Sequence, residues 1–175
     1  MAVPIRTVNN WELADVDQII DVRSPGEFKT DHVPGAVNLY VLSDQQHETV
    51  GRTYKKSPFE AKKLGASYVL SNISMHLEQS LRHKSKEFHP LFYCARGGRR
   101  SKSFATICAE IGWQCSVLEG GYKSYRSKVL SDLEALSEKL KIIIISGRTG
   151  TGKTKILEEL EKTGENIIDL EQLAR

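Results

Sequence analysis

Four times within the first 140 residues a short apolar run is followed by a segment of helical periodicity, and that alternation limits the fold more than any other feature. Ile19, Ile20 and Val22 lead into a helix around residues 26–29, entered through Ser24-Pro25. Residues 37–39 lead into a mostly helical section reaching about Arg82. Leu91, Phe92 and Tyr93 precede a helix over 101–111 that stops at Gly112. The run 115–118 passes through Glu119-Gly120-Gly121 into a long helix. Repeated strand-then-helix order predicts a parallel sheet covered by helices, because parallel neighbours must be joined by crossovers. Ala66, Val69, Leu70, Ile73, Leu77 and Leu81 share one face at spacings of three and four and predict packing on that sheet. Tyr122, Tyr125, Val129, Leu133, Leu136 and Leu140 do the same for the last helix.

At Lys141 the pattern restarts. The run 142–145 reads as a buried strand, 147–152 as a glycine-rich loop, 153–161 as a helix, and Ile167-Ile168 as a further strand. Some 35 residues are too few to build a core. The expected organisation is therefore one α/β domain over 1–138 and the opening of another over 139–175. Residues 139–175 thus read as part of a truncated, fragmentary or split protein. No apolar run approaches the roughly 18 residues of a membrane span, and residues 1–8 lack the apolar core of a secretory signal, so a cytoplasmic protein without membrane contact is expected.

Charge is nearly balanced over the chain, with 25 basic and 22 acidic residues. Residues 93–128 nevertheless hold seven basic side chains (Arg96, Arg99, Arg100, Lys102, Lys123, Arg126, Lys128) against two acidic ones, a net +5. That excess fits either a solvated basic face or an anion site. The three cysteines, Cys94, Cys108 and Cys115, have no CxxC spacing and no paired histidine cluster, which argues against a disulfide framework or zinc site. Cys108 and Cys115 fall within apolar patterns and read as buried hydrophobes.

Cys94 stands apart. In Tyr93-Cys94-Ala95-Arg96-Gly97-Gly98-Arg99-Arg100-Ser101 a cysteine closes an apolar strand and is followed by two glycines, arginines and a helix. Loop N–H groups and a helix N-terminus aimed at the sulfur would stabilise its thiolate. The predicted nucleophile is Cys94, with Arg96, Gly97, Gly98, Arg99, Arg100 and Ser101 as the oxyanion cradle. Asp21 and Arg23 read as a structural ion pair and His32 as a turn tether. The other four histidines receive no role.

The other loop, Gly147-Arg148-Thr149-Gly150-Thr151-Gly152-Lys153-Thr154, matches the G-x-x-x-x-G-K-[ST] phosphate loop. Backbone amides around Gly147, Gly150 and Gly152 would wrap a phosphate, Lys153 would reach terminal phosphates, and Thr154 could ligate Mg2+. Asp169 is the only candidate for a second magnesium holder, and it comes early for that role.

Several of these residues carry a resemblance. Asp21-Val22-Arg23-Ser24-Pro25-Gly26-Glu27-Phe28, His32-Val33-Pro34-Gly35-Ala36-Val37-Asn38, the cysteine loop, and Leu118-Glu119-Gly120-Gly121-Tyr122 resemble the successive signatures of rhodanese domains, over about residues 4–138. A three-layer rhodanese-like α/β fold, whose loop cysteine carries a persulfide, is implied. The run Tyr54-Lys55-Lys56-Ser57-Pro58-Phe59-Glu60-Ala61-Lys62-Lys63-Leu64-Gly65-Ala66 is part of a narrower match. The others are the form Cys94-x-Arg96-Gly97-Gly98-x-Arg100-Ser101, Gly120-Gly121-Tyr122-Lys123-x-Tyr125-Arg126 and the direct passage into a phosphate loop, and together they resemble the tRNA 2-selenouridine synthase family.

The narrower match implies replacement of sulfur by selenium at a wobble 2-thiouridine of tRNA through an S-geranylated intermediate. Selenophosphate and geranyl diphosphate would be cosubstrates, and a nucleotide with Mg2+ is an alternative occupant of the phosphate loop. tRNA is the implied partner, together with a missing half or a partner protein, although the sequence shows no aromatic stacking platform or extended basic stripe. Three alternatives stay open: a generic sulfurtransferase, an accessory persulfide carrier with an exposed apolar edge at 142–145 and 167–168, and a phosphatase suggested by the CX5R spacing.

Overall fold

A computed structural model describes residues 3–12, 14–137, 139 and 141–173. It divides into two compact units, 1–134 and 135–175. The first is built on a five-stranded, wholly parallel sheet of order β1-β5-β4-β2-β3. Its strands are β1 (Arg6–Val8), β2 (Gln18–Asp21), β3 (Val37–Asn38), β4 (Pro90–Tyr93) and β5 (Ser116–Leu118). The helices are α1 (Pro25–Thr30), α2 (Asp44–Lys56), α3 (Pro58–Gln79), α4 (Arg99–Ile111) and α5 (Gly121–Ser137), and the first unit ends inside α5.

Pleating assigns alternate residues of β4 to opposite layers. Phe92 and Cys94 join Phe104, Ala105 and Cys108 of α4 and Ile73 of α3 in one core. Leu91 and Tyr93 join Tyr125 of α5, with Tyr122 and Val129 packed alongside, in the other. The predicted three-layer α/β architecture is thus the observed one. Complete burial of side chains such as Phe92 and Leu91 stabilises it by about 1.5–3 kcal/mol each.

Helix starts follow local chemistry. Ser24 and Ser43 form capping boxes with Glu27 and Gln46, and Ser57 caps α3 ahead of Pro58. The long helical section predicted up to Arg82 is therefore two helices, broken where proline removes a backbone donor.

Three expectations change. Ala66 and Leu70 are exposed rather than core-facing, and α3 buries Ala61, Asn72, Ile73 and His76 instead. Asn72 and His76 bond to the carbonyls of Val41 and Tyr40, so two polar residues occupy a stripe that an apolar count assigns elsewhere. On α5, Leu133 and Leu136 are exposed because the helix covers the sheet only through its first turns, and Leu140 lies outside the described residues. Strand β1, which the sequence does not predict, is an edge strand held by parallel pairing to β5 and has little apolar content.

The other unit holds α6 (Lys153–Lys162) and α7 (Leu170–Leu173). The strands predicted at 142–145 and 167–168 are not formed, and Ile142, Ile143, Ile144 and Ile168 are exposed. A parallel strand exists only by bonding to neighbours, and no described strand pairs with either run.

Candidate active site

The cysteine loop leaves β4 at the carboxyl edge of the sheet and ends in the first turn of α4. Its glycines are fixed by a second turn packed against it. Gly97 has φ +61°, and a Cβ there would sit 2.8 Å from the Gly120 nitrogen and 2.9 Å from the Leu118 carbonyl oxygen. Gly121 has φ +58°, and a Cβ there would fall 2.0 Å from the Cys94 carbonyl oxygen. Only glycine fits such an approach. It lets the first N–H groups of α5 reach the loop: Tyr122 donates to the Cys94 carbonyl at 2.9 Å and Lys123 to that of Ala95 at 3.1 Å.

Within this frame Cys94 is 3% exposed. Its sulfur accepts from the Gly98 N–H at 3.1 Å and from the Ser101 hydroxyl at 3.3 Å. Gly98 caps α4 with no side-chain hydrogen bond, which leaves the helix N-terminus to the sulfur. Burial works against the thiolate, but the Ser101 hydroxyl and the N–H groups of Ser101, Arg96 and Gly98 outweigh it and hold the thiol below its ordinary pKa. Cys108 and Cys115 are wholly buried, which keeps both from a reactant; their mutual contact pushes Cys108 upward and Cys115 downward.

The predicted cradle residues separate into three groups. Gly98 and Ser101 touch the sulfur itself. Arg96 and Arg99 are exposed at the rim. Arg100 turns aside: its Nη1 donates to Glu27 Oε2 at 3.0 Å, and the same oxygen accepts from the Ser24 N–H. Burial raises the Glu27 pKa, but the Arg100 contact lowers it further, leaving it below the usual range.

Around the site, Asp21 and Arg23 form the predicted buried pair. Arg23 Nη2 donates to Asp21 Oδ2 at 2.7 Å and to the Asp31 carbonyl at 2.6 Å, and the guanidinium lies 4.0 Å from the centre of the Tyr122 ring. Tyr122 in turn donates to Asp31 Oδ2 at 2.6 Å. His32 bonds the Phe28 carbonyl and stacks on the Phe28 ring, a turn tether as expected. Sequence reasoning misses Glu27, Asp31 and the amides of Tyr122 and Lys123, because their partners lie far away along the chain.

The phosphate loop is placed differently. Gly147, Gly150 and Gly152 lead into α6, with Lys153 and Thr154 in its first turn. The Lys153 ammonium donates back to the carbonyls of Gly147 at 3.0 Å and Arg148 at 3.2 Å. Thr154 lines a cleft with Glu158, Glu161 and Asp169. Asp169 accepts from the N–H groups of Glu171 and Gln172 and so caps α7. No group of three or more His, Cys, Asp or Glu side chains that could hold a metal ion occurs among the described residues.

Comparison with known proteins matches the rhodanese-like domain model to residues 8–128 and the tRNA 2-selenouridine synthase AAA domain model to residues 140–175. The tRNA 2-selenouridine synthase of Nitrosomonas europaea is 36% identical over 159 residues, covering 90% of this chain and 41% of that protein. That of Bdellovibrio bacteriovorus is 39% identical over 160 residues, with the same two coverages. The chain thus spans about two-fifths of the length of these curated relatives. Among solved structures, the N-terminal domain of a putative ATP/GTP binding protein from Clostridium difficile 630 is 32% identical with a TM-score of 0.60. It covers 73% of this chain and 99% of that one. No described helix is long and apolar enough to cross a membrane. By its sheet, its cysteine loop and a match over most of its length, the chain belongs to the rhodanese-like domain family.

Proposed function

We propose that this chain is the chalcogen-handling part of a tRNA 2-selenouridine synthase, with Cys94 as its reactive group. One observation carries the reading: a buried sulfur accepts from a loop amide and a buried hydroxyl at the open N-terminus of α4. Such a site stabilises a thiolate and an anion beside it. With a thiosulfate-type donor, the Cys94 thiolate attacks the outer sulfur, a sulfur–sulfur bond forms, and sulfite leaves with the electron pair of the broken bond. In the tRNA reaction the selenium of selenophosphate attacks C2 of the wobble base, the geranylated sulfur leaves as geranyl thiolate with the electron pair of its C–S bond, and water takes the phosphoryl group as phosphate. Arg96 and Arg99 at the rim hold the donor's anionic end, and Arg100 fixes the loop through Glu27.

The phosphate loop then serves the diphosphate of geranyl diphosphate or of a nucleotide. Lys153 would exchange its two carbonyl partners for phosphate oxygens, and the remaining contacts would come from a missing half or a partner protein. Intact mass of the chain after incubation with thiosulfate tests the reading. Wild type should gain one sulfur atom and Cys94→Ser none. A folded wild type that gains nothing would reject Cys94 as carrier.

A further inference from the structure

The corner between α2 and α3 has no part in the chemistry above, yet its surface is unusual. Residues 52–63 hold Arg52, Lys55, Lys56, Lys62 and Lys63 against Glu60 alone, a net +4 within a region, 1–92, whose charges balance overall. Tyr54 is 55% and Phe59 71% exposed at the same corner. Along α3, Phe59, Lys63, Ala66 and Leu70 follow one another at helical spacing on the exposed face, with the Lys63 ammonium 5.9 Å from the centre of the Phe59 ring.

Helix electrostatics account for only part of this charge. Lys55 and Lys56 lie in the last turn of α2, where a cation complements the helix dipole. Lys62 and Lys63 lie near the start of α3, where the dipole disfavours a cation. Arg52 pairs with Glu48 and Lys63 with Glu60. Lys55, Lys56 and Lys62 have no acidic partner among the described residues. Nor do packing demands require two exposed aromatics beside them.

The corner also stands in a defined relation to the cysteine loop. At the other end of α2, Asp44 accepts from the Gly26 N–H at 3.0 Å, and the next residue of α1, Glu27, holds Arg100. The 13 residues of α2 then place the corner about 20 Å from that end, a separation that an RNA arm can bridge.

We propose that the α2–α3 corner is a docking surface for RNA. Lys55, Lys56 and Lys62 take backbone phosphates, and Phe59 with Tyr54 stacks on an unpaired base. An anionic membrane would call for a continuous apolar face, whereas here Lys63 interrupts it. The inference rests on the tRNA reading above and adds the surface to it. Averaging charge over residues 1–92 conceals this cluster of twelve.

The test is binding of a fluorescently labelled anticodon stem–loop RNA to the whole chain between about 50 and 200 mM salt. A K55Q/K56Q/K62Q variant should bind at least about tenfold more weakly, with a salt slope shallower by about two to three. Phe59→Ala should lose about fivefold or more with the slope unchanged. Circular dichroism confirms folding, and thiosulfate loading of Cys94 is measured on each variant. Wild-type RNA affinity in the triple variant, or wild-type binding to phosphatidylserine vesicles but not to RNA, overturns the docking surface even if Cys94 loads. Loss of RNA binding in the variants with no loading in any protein upholds the surface and rejects the transfer reading.

Discussion

The two glycine-rich loops of this chain are alike in sequence: apolar run, glycines, a reactive or cationic residue, helix. They differ in what surrounds them. The cysteine loop follows a strand paired on both sides, is pressed by the 119–121 turn, and has its carbonyls bonded by the first amides of α5. The phosphate loop follows an exposed, unpaired run, and its lysine bonds to the loop's own carbonyls. A motif records which residues a site needs, while rigidity and polarity come from elements distant in sequence. Here one loop has them within the described residues and the other does not.

The strongest way to break this contrast is to unlock the cysteine loop. Gly121→Ala would force a Cβ into the Cys94 carbonyl and should destabilise the first unit by upward of about 4 kcal/mol, read by chemical denaturation. A stable variant would show that the 119–121 turn does not hold the loop. Next, Asp21→Asn leaves the Arg23 charge buried with its hydrogen bonds only partly kept. A loss of about 3 kcal/mol is expected, at the low end for a broken buried pair.

A smaller change sharpens the electrostatic part. Ser101→Ala removes a donor to the sulfur, so the pH of half-maximal alkylation of Cys94 should rise toward that of an ordinary thiol. The sign for stability is fixed by the same shift. A thiol whose folded pKa is depressed adds stability above its unfolded value, and that contribution is lost as pH falls through the folded value. Ser101→Ala should therefore gain less stability than wild type between neutral and alkaline pH. If the two alkylation profiles coincide, the hydroxyl plays no part in the thiolate. The smallest effect belongs to the phosphate loop. Lys153→Ala removes only exposed hydrogen bonds and should leave the unfolding of the first unit within about 0.5 kcal/mol of wild type. A larger loss would mean that the phosphate loop is braced more firmly than its contacts indicate.

Much of the first unit is legible in the sequence. Ile19-Ile20 and Leu91 to Tyr93 read as strands from apolar runs, Gly112 as a helix stop, and Cys94 as the distinctive cysteine. What escapes has common causes. Strand β1 exists through its pairing to β5, not through its own composition. His76 and Asn72 enter the core because backbone carbonyls across the fold accept their hydrogen bonds. Residues 142–145 have the composition of a buried strand, but composition cannot supply the neighbour that makes one.

At the site, sequence alone determined the chemical identities: a thiol at a strand end, glycines where a backbone must pass close, arginines nearby, and a hydroxyl one turn into α4. Those follow from local geometry, which spacing encodes. Tertiary structure decided which arginine faces outward and which is held by Glu27, that Ser101 touches sulfur, and that α5 braces the loop. Hydrogen bonds and screened charges act over a few ångströms of space, and only the folded chain determines which residues come that close.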